Sequence, residues 1–174
     1  PTPAVGYNLV TRGAAGGIMI TASHNPAKWN GFKYRTSSGG SAPPEVLVKV
    51  EKAIHQLKSL TDIKRMDLDD ARSAGLVTDI DPAPTYLAHI ATLVDLDALR
   101  SAGCKVVVDP MHGAGAGYFA GLLSGGATKV LEIRGTVNPL FPDMHNPEPI
   151  EHNLGPLRDA VLQTNALVGV AMDG

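Results

Sequence analysis

The apolar positions of the chain follow two different periods, which separate strands from helices. Residues 45–58 carry Val, Leu and Ile three and four positions apart with Lys and Glu between them, a spacing that predicts an amphipathic helix. Short apolar runs bounded by glycine or polar residues instead predict buried strands. Five such strands are predicted, at residues 16–21, 32–35, 105–109, 129–133 and 166–172.

Helix and strand patterns alternate through the second half of the chain. Three helices are predicted there, from Pro84 to about Arg100 with Gly103 as the C-terminal cap, within 113–126, and over 156–164. This alternation predicts a parallel sheet with helices on both faces, whose ligands bind at the carboxyl ends of the strands. Asp109 and Asp173 both stand at such an end.

The segment between these two regions is polar. Residues 59–83 are charged and weakly periodic, so we place a domain boundary near residue 78. The first unit is then residues 1–78 and the second unit residues 79–174. The predicted fold class is α/β, with two α/β/α domains, mixed or mostly parallel sheets, and the first domain incomplete. A sheet that lacks strands exposes an edge, so we expect self-association through the first unit.

Composition excludes several classes of partner. The 15 Lys+Arg and 17 Asp+Glu give a net charge of -2, which supplies no basic surface for nucleic acid. No apolar run approaches the ~20 residues of a membrane helix, and residues 1–15 lack signal-peptide features. Cys104 is the single cysteine, which excludes an intramolecular disulfide and a cysteine-rich metal site. We expect a cytoplasmic protein with no nucleic-acid or membrane partner.

Residues 21–33, TASHNPAKWNGFK, concentrate polar groups just after a predicted strand. Ser23 in that position is a candidate nucleophile, phosphate carrier or turn former. The chain contains no Gly-x-Ser-x-Gly elbow, which argues against a hydrolase. Residue types alone favour the simplest interpretation, in which Ser23 and Asn25 form a Ser/Asx turn before Pro26.

The hexapeptide at residues 21–26, TASHNP, matches the active-site signature of the α-D-phosphohexomutase superfamily, which includes phosphoglucomutase and phosphomannomutase. Further segments resemble motifs of that family in the same order: NGFK at 30–33, DPMHG at 109–113, FP and NPE within 141–148, and GVAMDG at 169–174. The chain therefore resembles the end of domain 1 and most of domain 2 of that family. By this resemblance, we expect only the opening of the family's metal loop within these 174 residues, and neither its third nor its fourth domain.

This resemblance implies a phosphoserine mechanism. Ser23 would be phosphorylated and would donate its phosphate to a hexose phosphate, so that phosphate moves between C1 and C6 through a hexose 1,6-bisphosphate. Phosphoserine carries about -1.5 to -2 charges, and Mg²⁺ would offset that charge with Ser23 and Asp173 as ligands. Thr21 favours a glucose or mannose phosphate over a glucosamine phosphate. Because Asp173 alone remains of the metal loop, we expect residues 79–174 to fold but the isolated chain to be inactive.

The resemblance also assigns roles to two residues near Ser23. Lys33 would relay protons or stabilise phosphoryl charge, whereas a lysine chosen without regard to the motif is normally a solvated surface residue. His24 either assists proton transfer or hydrogen-bonds within its own loop, and the residues leave both interpretations open.

Two other functions compete with the mutase. Residues 115–120 fit the dinucleotide fingerprint G-x-G-x-x-A, and Glu132 could meet a ribose, although DPMH separates the glycines from their strand. A non-catalytic sugar-phosphate-binding protein is the second alternative. The joint presence of Ser23, Lys33 and Asp173 argues against it, because a scaffold has no need of a nucleophile and a metal ligand together.

Overall fold

The computed structural model describes all residues, 1–174, as a mixed α/β protein. The first half contains α1 (Thr2–Thr11), β1 (Gly16–Ile20), β2 (Phe32–Thr36), α2 (Pro44–Gln56), a 3₁₀ turn (Leu60–Asp62) and α3 (Leu68–Ser73). The second half contains α4 (Ala83–Leu93), α5 (Leu96–Ser101), β3 (Lys105–Asp109), α6 (Tyr118–Leu123), β4 (Lys129–Glu132), a 3₁₀ turn (Glu151–Asn153), α7 (Gly155–Thr164) and β5 (Val168–Ala171). No helix has both the length and the hydropathy to cross a bilayer.

The second half is built on a parallel sheet of three strands in the order β4-β3-β5. The run Val106–Val108 is buried because β3 is central and paired on both edges. Helix α7 packs against β3 and β5, and α6 packs against β4. The parallel sheet predicted from the alternating pattern is therefore confirmed.

The first half contains an antiparallel hairpin, in which Ile18 pairs with Tyr34, Met19 with Lys33 and Ile20 with Phe32. Helix α1 covers the face that carries Gly17. A Cβ at Gly17 would lie 2.8 Å from a Leu9 methyl carbon, so the absence of a side chain there lets the helix approach. The opposite face is open, and Ile18, Ile20 and Phe32 are 61%, 65% and 54% exposed.

Two features of the helices differ from the sequence prediction. The helix predicted from Pro84 to Arg100 is interrupted, because Val94 is extended and the Asp95 carboxylate caps α5 by accepting from the Ala98 N–H at 2.9 Å. Gly103 follows α5 with a φ of +66°, as a C-terminal glycine should. Helices α1 and α3 lack a strong apolar stripe and were not predicted.

Helix α1 links the two halves through polar and aromatic contacts. The buried Asn8 amide donates to the carbonyl oxygens of Ala4 (2.9 Å) and Pro82 (3.0 Å), and the second bond reaches the start of α4. The Tyr7 ring stacks on the His89 ring with centroids 4.4 Å apart. The hairpin is thus attached to the parallel sheet by way of α1 and α4.

Replacing Asn8 with alanine should lower the free energy of unfolding by about 1–3 kcal/mol, because the Pro82 carbonyl loses its donor inside the α1–α4 contact. Chemical denaturation of Asn8→Ala measures the change. Gln163→Ala, an exposed substitution on α7, is the control and should change stability by less than about 0.5 kcal/mol. Equal stabilities of the two variants would contradict this role of Asn8.

Candidate active site

A cleft of about 690 Å³ lies between the hairpin and the carboxyl edge of the parallel sheet. Its walls come from the start of α1, the end of β1, one face of α4, α6 and the residues after β5. The polar side chains of Ser23, Lys33 and Asp173 line this one cleft, although the three are separated by up to 150 positions in sequence. The structure thus brings together three of the residues that the motifs singled out.

Ser23 is held by the first residues beyond β1. The Thr21 N–H donates to the Gly31 carbonyl at 2.9 Å, and the Ser23 N–H donates to the Thr21 hydroxyl at 3.0 Å. Ser23 has a φ of +56°, in the left-handed region, and is half-buried. The Asn25 backbone and side-chain N–H groups both donate to the Ala22 carbonyl. A backbone turn over residues 22–25 is therefore present before Pro26, but the side-chain turn expected of Ser23 and Asn25 is not, because the hydroxyl that accepts a backbone N–H here is that of Thr21.

Lys33 reaches the cleft from the neighbouring strand. It lies opposite Met19 in the hairpin, and both residues line the cleft. Its side chain is exposed and forms no ion pair, since the five ion pairs of the chain involve other residues. An ammonium group without a carboxylate partner is free to interact with an anionic ligand.

Asp173 follows β5 and is exposed in the cleft. The Ser23 hydroxyl and the Asp173 carboxylate are hard oxygen donors of the kind that Mg²⁺ accepts, together with phosphate oxygens and water. The chain has no cluster of three His, Cys, Asp or Glu side chains that could hold a metal ion. These two residues therefore fit Mg²⁺ in chemistry but form only part of a ligand set.

His24 is exposed and is not among the residues that line the cleft. Its catalytic assignment stays a prediction.

Asp109 does not face the cleft, although it stands at a strand end. Its carboxylate is completely buried and forms an ion pair with Arg134, in which Arg134 Nε donates to Oδ1 at 2.9 Å and Nη2 contacts Oδ2. The Met111 N–H also donates to Oδ1. Asp109 is therefore part of the scaffold beneath the site.

The structure explains the glycine-rich segment without a dinucleotide. Both carboxylate oxygens of Glu132 accept from the Gly117 N–H, at 3.0 and 3.1 Å. The acidic side chain thus binds the amide at the start of α6, where the dinucleotide fingerprint would place a pyrophosphate. The Glu132 carboxylate is therefore engaged by the backbone of the glycine-rich segment itself.

Aromatic side chains form the wall that sequence reasoning missed. Tyr86, Tyr118 and Phe119 line the cleft, and the rings of Tyr86 and Tyr118 lie 6.1 Å apart with a tilt of 58°. Burial raises the pKa of the Tyr118 phenol, and the charges of Asp81 and Tyr86 raise it further. Tyr118 therefore stays a neutral hydrogen-bond donor at neutral pH.

Comparison with known families gives two matches. Residues 1–61 match the family described as phosphoglucomutase/phosphomannomutase, alpha/beta/alpha domain I, and residues 84–174 match domain II of the same description.

Individual relatives agree with these matches. The chain is 33% identical over its whole length to a protein named "Probable phosphoglucosamine mutase" from Methanothermobacter thermautotrophicus, and it covers 36% of that protein. It is 29% identical to a phosphoglucomutase from Komagataeibacter xylinus, with 81% of this chain and 27% of the relative covered. A crystal structure of a "putative phosphomannomutase" from Thermus thermophilus superposes with a TM-score of 0.83 at 32% identity, covering 100% of this chain and 38% of that one. The chain thus spans about a third of the length of such relatives.

The raised pKa of Tyr118 predicts that one of the four tyrosines ionises at higher pH than an ordinary tyrosine, whose pKa is about 10. An absorbance titration of the phenolate band should show this late step, and Tyr118→Phe should remove it. Tyr34→Phe, on the hairpin, should leave the late step in place. A late step that persists in Tyr118→Phe would show that another tyrosine is the perturbed one.

Proposed function

Since the chain belongs to the phosphoglucomutase/phosphomannomutase family, we propose that it carries the phosphoserine site of a phosphohexomutase. Ser23 would relay a phosphoryl group between C1 and C6 of a hexose phosphate. The observation that supports this most strongly is the convergence of Ser23, Lys33 and Asp173 on one cleft. A nucleophile, a cation and a hard oxygen ligand are the groups that phosphoryl transfer needs within reach of each other.

Transfer begins with phosphorylated Ser23. A hydroxyl oxygen of the hexose phosphate bonds to phosphorus as the bond between phosphorus and Ser23 Oγ breaks. The proton lost by the sugar hydroxyl is balanced by one gained at Oγ, and the product is a hexose 1,6-bisphosphate. After the sugar turns over, its other phosphate returns to Ser23 by the reverse step. The sugar leaves with its phosphate on the other carbon.

The half-buried turn suits this exchange. The hydrogen bonds through Thr21 fix the backbone of Ser23, so the phosphoryl group would project from a constant position. The Lys33 ammonium would donate hydrogen bonds to phosphoryl oxygens, where negative charge concentrates during transfer. It enters from the adjacent strand, whose register opposite Met19 is fixed by the hairpin.

Ser23 and Asp173 are the residues that would hold Mg²⁺. The ion, when bound, would neutralise part of the phosphoserine charge and polarise the transferring group. One carboxylate in the chain gives weak binding, because Mg²⁺ gives up its water reluctantly. The isolated chain is accordingly still predicted to be inactive.

The proposal covers hexose phosphates as a class. The relatives are named phosphoglucosamine mutase, phosphoglucomutase and phosphoglucomutase/phosphomannomutase. The preference for glucose or mannose that was based on Thr21 remains a prediction.

Incubation of the intact protein with glucose 1,6-bisphosphate should phosphorylate Ser23, and peptide mass spectrometry should locate the modification within residues 21–33. Ser23→Ala should abolish both this labelling and mutase turnover of the intact protein. Ser37→Ala, in the exposed turn after β2, is the matched control and should label normally. Residual turnover of Ser23→Ala would contradict the carrier role. Normal binding of the bisphosphate without labelling would support the non-catalytic alternative.

Lys33→Met should lower the turnover of the intact protein by ~10²-fold or more, because it removes the cation that faces the phosphoryl group while retaining the length of the side chain. Lys33→Ala should have a similar effect. Lys28→Met is the matched control, since Lys28 is exposed in the loop that leads to β2, its Nζ lies 5.8 Å from the Trp29 ring centroid, and it does not line the cleft. Near-normal rates in both Lys33 variants would make Lys33 a surface residue.

A further inference from the structure

A network of buried polar side chains lies below the cleft and is not used in the proposed chemistry. It starts at the Asp109–Arg134 ion pair, where Asp109 is completely buried and the Arg134 side chain is 13% exposed. Arg134 Nη2 also donates to the Asn153 carbonyl at 2.9 Å. One guanidinium thus joins the end of β3 to the 3₁₀ turn that precedes α7.

Asn153 carries the network into the loop at residues 146–148. Its buried side-chain amide donates to the carbonyl oxygens of Asn146 at 2.8 Å and Glu148 at 2.9 Å. These two carbonyls flank Pro147, so a single amide group holds both sides of the proline. Pro147 is itself fully buried.

The carbonyl of Pro147 then accepts from the Gly174 N–H at 3.0 Å. Gly174 is also packed closely on two sides. A Cβ at Gly174 would lie 2.5 Å from Pro147 Cβ, and a Cβ at Gly113 would overlap Gly174 Cα. The backbone next to Asp173 therefore lies between Gly113 and Pro147 with no room for a methyl group on either side.

We propose that Gly113 and residues 146–148, anchored by Arg134 and Asn153, form a clamp that positions the Asp173 carboxylate in the cleft beside Ser23. The backbone is fixed before Asp173 as well, because the Met172 N–H donates to the Asp109 carbonyl at 2.9 Å. The side chain of Asp173 is then the movable part between two fixed neighbours.

The clamp rests on the proposed function, since its purpose is to place a metal ligand. Mg²⁺ requires nearly ideal octahedral geometry, so a ligand contributed by one strand end must meet the phosphoserine of another unit at a defined distance. A misplacement of about 1 Å far from the reacting atoms can lower a rate by ~10²-fold. Residues that touch neither the metal nor the substrate can therefore control binding through Asp173.

The test uses Gly113→Ala, which introduces one methyl group against Gly174, and Gly155→Ala as the matched control. A Cβ at Gly155 meets no atom within 4 Å, and neither glycine has a positive φ. Amide hydrogen exchange by NMR reports the clamp directly. We expect Gly174 to exchange about tenfold faster in Gly113→Ala, through loss of its bond to Pro147, while Val107 in the centre of the sheet is unchanged.

Titration with Mn²⁺ reports metal binding by the Asp173 carboxylate. The ion should selectively broaden the amide signals of Gly174 and Ser23, and Gly113→Ala should need about tenfold more Mn²⁺ for the same broadening. Gly155→Ala should respond as the unmodified chain. If Gly113→Ala does not fold, Asn153→Asp provides the same test, because a carboxylate of the same shape cannot donate to the Asn146 and Glu148 carbonyls.

Unchanged Gly174 exchange in a folded variant would overturn the clamp, as would faster exchange with an unchanged Mn²⁺ response. Asp173→Asn separates this inference from the proposed function. It should abolish the selective broadening, and if it does not, the metal role of Asp173 is wrong. In that case, the amide exchange rate of Gly174 alone tests whether the clamp exists.

Discussion

A carboxylate that is completely buried at the end of the central strand constrains the whole second half of the chain. A carboxylate buried there is costly without a partner, because removing one member of a buried ion pair leaves a charge that neither water nor protein compensates. Arg134 supplies that partner from a position two residues beyond β4, where its own backbone is left-handed, with a φ of +49°. The loops at the carboxyl edge of the sheet are arranged around this pair. Every buried side-chain nitrogen and oxygen of the chain has a hydrogen-bond partner, so the arrangement leaves no buried polar side-chain atom unsatisfied.

The cleft depends on a second connection, the one that attaches the hairpin to the parallel sheet. Ser23 and Lys33 belong to a two-stranded hairpin, and such a hairpin needs additional packing to be stable. Helix α1 packs on one face of the hairpin through Leu9. It also contacts α4, where Tyr7 stacks on His89, and the residue before α4, whose carbonyl accepts from Asn8. The geometry between the serine and the aspartate is therefore set by the packing of α1 and α4.

Sequence reasoning recovered the elements whose signals are local. Strand β3 was located residue by residue because a continuous apolar run between polar residues allows few other structures. Helix α1 was missed because only Ala4, Asn8 and Leu9 are buried, and one of these three is polar. The break between α4 and α5 depends on the Asp95 cap, which interrupts a pattern that would otherwise predict one helix. The motifs located Ser23, Lys33 and Asp173, but the partnership of Asp109 with Arg134 spans 25 positions and follows only from the folded topology.

The left-handed backbone of Ser23 lowers the stability of the fold, whereas its side chain is needed for the proposed phosphoryl transfer. A residue with a side chain loses about 1–2 kcal/mol when it adopts the left-handed conformation, and glycine does not. Glycine at this position would relax the turn and delete the hydroxyl in the same step. Directed evolution that selects for thermostability alone would thus favour a more stable protein that can no longer carry phosphate. A consensus-based stabilisation of this chain has to hold residue 23 fixed and look for its gains on the exposed helices.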